Sequence, residues 1–315
     1  MKEFPPDILD QLVLRHRPDL KTPLSFSPIR TGHFNTSFFV LAGPEEFVLR
    51  VAPERDEVFV FYERDMMRQE PGLHALLLER TDVPVARVLA YDDSHDLIER
   101  DYLLMQRLPG RPLTDVAGAD YDFVLLQMGR HLAQVHALMA ESYGYLGAHR
   151  PMDPQPTWVE AFEVMWGKLI DDVAGVGHYD REESRLLKEL LGRNLRLFDR
   201  PVPSSLLHMD VWHQNILVDE DGRVTGVVDW DRALWGDPEI EFAVLDYCGI
   251  SEPAFWEGYG QRRDQSPEAR IRQVFYLLYE LQKYIVIRQG RGRDAAGALR
   301  YKRHVMQIVS RLLPS

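Results

Sequence analysis

The sequence has almost no cysteine, no long hydrophobic run and too few basic residues to balance its acids. A single cysteine, Cys248, excludes an internal disulfide framework and any Cys-rich zinc site, which suits a reducing compartment. No run of about eighteen apolar residues is present. The opening MKEFPPDILDQLVLRHRPDL also lacks the apolar centre of a signal peptide. These two absences predict a cytoplasmic protein with no membrane partner. Lys and Arg number 37 against 49 Asp and Glu, a formal charge of −12. Binding a phosphate backbone needs a positive face, so no nucleic-acid partner is expected. Internal repeats and low-complexity linkers are missing too. What is present is 315 residues with 45% hydrophobic content, more than one typical core, and this predicts two lobes.

The chain is organised around His208 to Asp231, reading HMDVWHQNILVDEDGRVTGVVDWD. Two β-rich runs, Ile216 to Val218 and Val224 to Val228, flank the turn Asp219-Glu220-Asp221-Gly222, the pattern of a hairpin. A hairpin brings its ends together, so Asn215 before it and Asp229 after it become neighbours. An amide oxygen and a carboxylate suit Mg2+, which takes few protein ligands and leaves the rest to phosphates and water. Asp210, five residues before Asn215, is placed to orient or deprotonate an acceptor hydroxyl during phosphoryl transfer. Turn Asp and Asn residues more often cap backbone than bind metal. The conjunction of two acids, an amide and the intervening hairpin favours chemistry.

The spacing His208-x-Asp210-x-x-x-x-Asn215, followed by Asp229-Trp230-Asp231, resembles the aminoglycoside phosphotransferase family of small-molecule kinases. The resemblance runs from roughly Ser27 to Gln289, with its strong part at residues 208 to 243. It implies an α+β, bilobal, protein-kinase-like fold. An N-terminal antiparallel sheet lobe with one helix would span residues 1–108 and a larger, mainly helical lobe residues 109–315. It also implies ATP or GTP as phosphoryl donor, Mg2+ at Asn215 and Asp229, Asp210 as the catalytic residue, and supporting roles for His208 and Asp231.

The chain order agrees with that scheme. Residues 7 to 16 read as a short amphipathic helix, then Leu24 to Arg30, Asn35 to Leu41 and Glu46 to Ala52 as an antiparallel meander. Its first turn, Thr31-Gly32-His33-Phe34-Asn35-Thr36, would cover the ATP phosphates. Arg50 is the one charge in the apolar third strand, and a buried strand charge needs a partner. The family implies that it steadies phosphates, with Glu70 at the start of the helix Glu70 to Glu79 as its partner and Glu63 as a competitor. After strands at Val88 to Tyr91 and Tyr102 to Gln106, Leu108-Pro109-Gly110 marks a boundary. There the resemblance implies an adenine-reading hinge at Gln106, Arg107 and Leu108, with Met105 as a wall.

Further helices are expected at residues 123 to 140, 157 to 175, 181 to 198, 268 to 289 and 294 to 313. Trp158, Phe162, Trp166 and Leu169 form a stripe that suits a core, or else a sugar-binding cleft. Between Ala233 and Gln261 there are six acids and no Lys or Arg. Such a run beside Asp210 would concentrate a polycationic acceptor, with Glu241, Asp246 and Glu280 as candidate acceptor residues. Asp237 is expected to cap a helix that starts at Pro238. The favoured acceptor is a cationic antibiotic such as an aminoglycoside. Two alternatives stand beside it: a metabolite of the homoserine, choline, methylthioribose or sugar kind, and a nucleotide-binding scaffold with little turnover. Oligomeric state is not legible.

Overall fold

Alternation of apolar residues drives the first half of the chain into strands, and the sheet they form carries Arg50 toward the centre of the molecule. The computed structural model describes residues 4–312 apart from 22, 32–33 and 55–57. Helix α1 (Pro6–Leu14) precedes β1 (Ser25–Ile29), β2 (Thr36–Ala42) and β3 (Glu45–Val51). Helix α2 (Glu70–Arg80), β4 (Val88–Asp92) and β5 (Tyr102–Gln106) complete this region. The five strands form one antiparallel sheet in the order β1-β2-β3-β5-β4. In the centre of it β3 pairs Arg50 with Ser37 on one side and Leu103 on the other. Leu9, Leu12 and Val13 of α1 pack under the sheet with Val40, Leu49 and Val51, sealing one face.

Chain crosses from this sheet into a second, smaller one. Strand β6 (Arg111–Pro112) pairs with β8 (Ile216–Val218), which pairs with β9 (Val224–Val227). Gly110 makes the crossing possible. Its φ is +95°, and a Cβ there would strike Thr225 and the Val218 carbonyl, so only glycine fits. Thr225 donates to the Pro109 carbonyl at 2.7 Å, pinning the crossing to the hairpin.

The second half is helical. Helices α3 (Tyr121–His136), α4 (Trp158–Gly175) and α5 (Arg181–Gly192) come first, then β7 (Ser205–Leu207) ahead of β8. Strand β10 (Leu234–Gly236) pairs antiparallel with β7, and α6 (Pro238–Tyr247), α7 (Pro253–Tyr259), α8 (Pro267–Gln289) and α9 (Ala295–Leu312) follow. Side-chain caps start most of them: Asp120, Thr157, Asp180, Asp237 and Ser266 each accept an amide of the first turn. Asp237 caps α6 with Pro238 at its first position, as expected.

Two helix ends differ from expectation. Helix α5 stops at Gly192 rather than at 198, because glycine is a poor helix former and the Asn194 side chain donates to the Leu190 carbonyl at 2.8 Å. Helix α3 ends at His136 rather than 140, since Met139 and Ala140 leave it to pair with Ser205 and Ser204. The aromatic stripe of α4 is core: Trp158, Phe162, Trp166 and Leu169 are buried against α8 and α5, with Trp158 donating to Tyr276 and Trp166 to the Leu187 carbonyl. Among the described residues no helix is long and apolar enough to cross a membrane.

Candidate active site

Hydrogen bonds stitch the loop between β7 and β8 to the far end of the hairpin. His208 is fully buried and donates from Nε2 to the Val228 carbonyl at 3.0 Å, its ring 4.4 Å from that of Trp230. The Val228 amide donates to the Asn215 carbonyl at 3.0 Å, and Trp230 Nε1 to the Val227 carbonyl at 2.8 Å. Both ends of the loop are thereby held against the residue that precedes Asp229. Two backbones lie in the left-handed region, Met209 at φ +65° and Asp229 at φ +71°. Non-glycine residues hold that conformation only where the surroundings impose it. At Met209 the constraint is visible: its amide donates to Glu241 at 2.6 Å, and the other Glu241 oxygen accepts from His136 at 2.7 Å. His136 in turn accepts from the Tyr259 hydroxyl at 2.8 Å.

Asp210 follows that fixed turn. Its Oδ1 accepts from Arg232 Nη1 at 3.0 Å, and Asn215 Nδ2 lies 3.3 Å from its Oδ2 and 2.9 Å from its carbonyl. Burial alone would push the Asp210 carboxyl up, but Arg232, then Lys283 and His208, outweigh it and hold the group below its ordinary value. Asp210 is therefore a carboxylate at neutral pH and a weak base, better suited to orienting a hydroxyl than to stripping its proton. With its amide nitrogen committed to Asp210, Asn215 has its oxygen to offer a cation.

Arg50 stands among three carboxylates. It donates to Glu70, to Asp229 at 2.7 Å and to Asp231 at 3.1 Å. Asn35, just past the β1–β2 turn, donates to Asp231 at 3.3 Å, and Gln69 donates to the Asp231 carbonyl. Burial pushes the Glu70 carboxyl up to about 7 although Arg50 opposes it, and burial with the neighbouring Asp229 raises Asp231 well above the carboxylate range. One guanidinium does not neutralise three acids, of which Glu70 and Asp231 are buried. Glu63, the competitor for Arg50, is engaged elsewhere, taking both Nη atoms of Arg291 at 2.6 and 2.9 Å. Among the described residues no three of His, Cys, Asp and Glu converge into a closed metal cage. The hairpin holds Asn215 and Asp229 at its two ends, with the Val228 amide bonded to the Asn215 carbonyl, and an amide oxygen and a carboxylate are hard donors of the kind that suit Mg2+.

At the crossing between the sheets, the amides of Gln106 and Arg107 already donate to the carbonyls of Arg87 and Glu46. Arg107 turns back over Phe39, 4.2 Å from its ring, and pairs with Glu46. Of the expected hinge residues this leaves the backbone of Leu108, with Met105 and Leu108 on an apolar wall that includes Leu103 and Val48. Of the expected phosphate turn, Gly32 and His33 lie outside the described residues.

The acceptor-side expectations are revised. Glu241 is fully buried with both oxygens bound to Met209 and His136, so it braces the loop and faces no acceptor. Asp246 pairs with Arg263 at 2.6 Å. Glu239 pairs with Arg272 and Arg200, and Asp237 with Arg200 and Tyr276. Glu252 and Glu257 line a separate groove with Asp120 and Asp122. Arginines from other segments thus answer Asp237, Glu239 and Asp246, while the groove that Glu252 and Glu257 line is acidic but has none of Asp210, Asn215 or Asp229 in its wall. Glu280 is buried and paired with Lys283 at 2.6 Å. Sequence reading missed Arg232, Lys283 and Gln69, and it placed Asn35 in the phosphate turn without foreseeing its bond to Asp231. Only Arg232 carried a local signal, being the residue that follows the Asp229-Trp230-Asp231 run.

A family profile described as "Phosphotransferase enzyme family" matches residues 25–274. Among curated proteins, a "probable ketoamine kinase" of Staphylococcus aureus is 25% identical over 283 residues, covering 87% of this chain and 90% of its own. Hygromycin-B 4-O-kinase of Escherichia coli is 24% identical over 234 residues, 69% of this chain and 64% of its own. A candidate fructosamine-3-kinase from Haemophilus somnus superposes with a TM-score of 0.70 at 17% identity, covering 97% of each chain. A thermostable aminoglycoside phosphotransferase APH(4)-Ia in ternary complex with AMP-PNP and hygromycin B gives 0.63 at 21% identity, covering 94% of this chain and 98% of its own. At such identities the structures speak for the shared protein-kinase-like fold.

Proposed function

This chain belongs to the phosphotransferase enzyme family, and from that premise we propose that it moves the γ-phosphoryl of ATP or GTP onto a hydroxyl of a small metabolite. The observation that carries the reading is the loop geometry: Asp210, Asn215 and Asp229 held together by the His208, Asn215 and Trp230 bonds to the hairpin end. In this scheme Asp210 orients the acceptor hydroxyl in line with the phosphoryl. Arg50 steadies the donor phosphates, Glu70 and Asp231 fix the direction of Arg50, and the Leu108 backbone with Met105 receives the base. Asn215 and Asp229 would hold Mg2+, which when bound supplies neutralisation of the phosphate charge. Rate enhancement then comes from positioning and charge placement rather than covalent chemistry.

For the acceptor, a metabolite of balanced charge, ketoamine or sugar in kind, fits better than a polycation. Its support is the pairing of Asp237, Glu239 and Asp246 with Arg200, Arg263 and Arg272, together with similarity to ketoamine kinases over nearly the whole of both chains. The cationic-antibiotic reading keeps one support, the similarity to hygromycin-B 4-O-kinase.

Mass spectrometry on a panel of ketoamines, sugars, choline, homoserine and aminoglycosides, incubated with Mg2+ and ATP or GTP, tests the proposal. The expected result is a phosphate-sized gain on a metabolite that Asp210→Asn reduces by roughly 10²–10⁴-fold while ATP binding persists. Product formation unchanged in Asp210→Asn would overturn the assignment of Asp210.

A further inference from the structure

Arg232 is nearly buried, with 13% of its side chain exposed, and it touches two carboxylates. One is Asp210 at 3.0 Å. The other is Glu63, which lies 3.6 Å away and is already bound in fork geometry by Arg291 and by the Val60 amide. The neighbouring cation, Lys283, has Glu280 to itself at 2.6 Å. Arg232 therefore has no carboxylate of its own apart from Asp210. A hydroxyl that engages Asp210 shares the carboxylate with Arg232 on Oδ1 and with Asn215 on Oδ2. When Asp210 turns to an acceptor, a buried guanidinium is left short of a partner, which is costly unless another anion replaces it. Its planar fork of donors matches carboxylate and phosphate oxygens.

We propose that Arg232 binds an anionic oxygen group on the acceptor side of Asp210, either a carboxylate carried by the acceptor or an oxygen of the transferring phosphoryl. The inference rests on the kinase reading for the place of the acceptor. It goes beyond that reading in predicting that hydroxy acids and zwitterions are favoured over polyamines, whose ammonium groups would meet the guanidinium. Tyr62 and Tyr145, stacked at 4.6 Å beside Glu63, frame the same region with polar hydroxyls and add no negative charge at neutral pH, since burial pushes both hydroxyls up.

The test needs no turnover. Asp210→Asn removes the resident anion from Arg232, and its affinity for inorganic phosphate, for glycerate and for the neutral methyl ester of glycerate is measured by calorimetry with Mg2+ and ADP present. The double variants Asp210→Asn with Arg232→Ala, Arg232→Gln or Arg232→Lys are run alongside, with melting curves to confirm folding. We expect phosphate or glycerate to bind about tenfold or more tightly to Asp210→Asn than to the Ala and Gln double variants, with Lys intermediate. Glycerate selected over its ester identifies an acceptor carboxylate as the source. Phosphate selected with no preference between glycerate and ester identifies the phosphoryl. Equal affinities in the single and double variants overturn the proposal. Failure of the kinase reading shows separately, as absence of product from the wild type across the acceptor panel.

Discussion

The two sides of the catalytic loop handle charge in opposite ways. On the proposed nucleotide side a single guanidinium, Arg50, faces Glu70, Asp229 and Asp231. On the proposed acceptor side Asp210, Glu63 and Glu280 face Arg232, Arg291 and Lys283, one cation for each acid. An anionic nucleotide entering the first region meets excess negative charge unless a cation comes with it. An acceptor entering the second meets fixed, paired dipoles and no net field. This contrast fits the proposal that the first region takes a metal with its nucleotide and that the second reads the arrangement of charges on its ligand rather than their sum.

Removing the lone cation breaks the comparison most severely. Arg50→Met strands Glu70 and Asp231, both buried, and is expected to lower stability by about 3–5 kcal/mol. The loss should be visible as a reduced melting temperature that recovers in mild acid as the carboxyls protonate. Glu241→Gln tests whether the loop is held independently of either charge cluster. It replaces the carboxylate that holds the left-handed Met209, and a loss of roughly 1–3 kcal/mol is expected. Turnover should fall while the KM for nucleotide stays put, which a merely loosened fold would not produce.

The pH dependence sharpens the contrast. The Glu70 carboxyl is raised from 4.5 to about 7 by burial. A raised carboxyl binds its proton more tightly in the folded state, so its contribution is complete below pH 4.5 and is lost as pH rises through about 7. Against Glu70→Gln, the wild type should therefore lose relative stability across that window, and added Mg2+ with ATP should shrink the loss. The smallest effect belongs to Asp246→Asn, which removes a half-exposed pair with Arg263. Its stability should change by less than about 1 kcal/mol, with kcat/KM for the acceptor unchanged. A large fall in that ratio would restore an acceptor role for Asp246.

What the sequence revealed was what lies close together in it. The hairpin from Ile216 to Val227 and the caging of His208 against Val228 and Trp230 all fall within two dozen residues. The need of Arg50 for a partner was legible from a lone charge in an apolar strand, and the family resemblance with chain order favoured Glu70 over Glu63. Pairings set by tertiary packing were not. Arg200, Arg263 and Arg272, which pair with Asp237, Glu239 and Asp246, come from outside the acid run, and local charge imbalance gave no sign of them. Glu241 shows the same limit from the other direction: its acidity was plain, but its burial against Met209 and His136 depends on how α6 packs under the loop. At the hinge, which amides are free depends on register with Arg87 and Glu46, and side-chain identity does not encode register.

Calorimetric titration of ATP with and without Mg2+, in the wild type and in Asp229→Asn, reaches the central claim most directly. Three acids around Arg50 predict tight binding by the wild type only when Mg2+ is present, and a much smaller dependence on Mg2+ once Asp229 is neutralised. Equal affinity for ATP in the presence and absence of Mg2+ in the wild type would contradict the charge arrangement on which the whole reading rests.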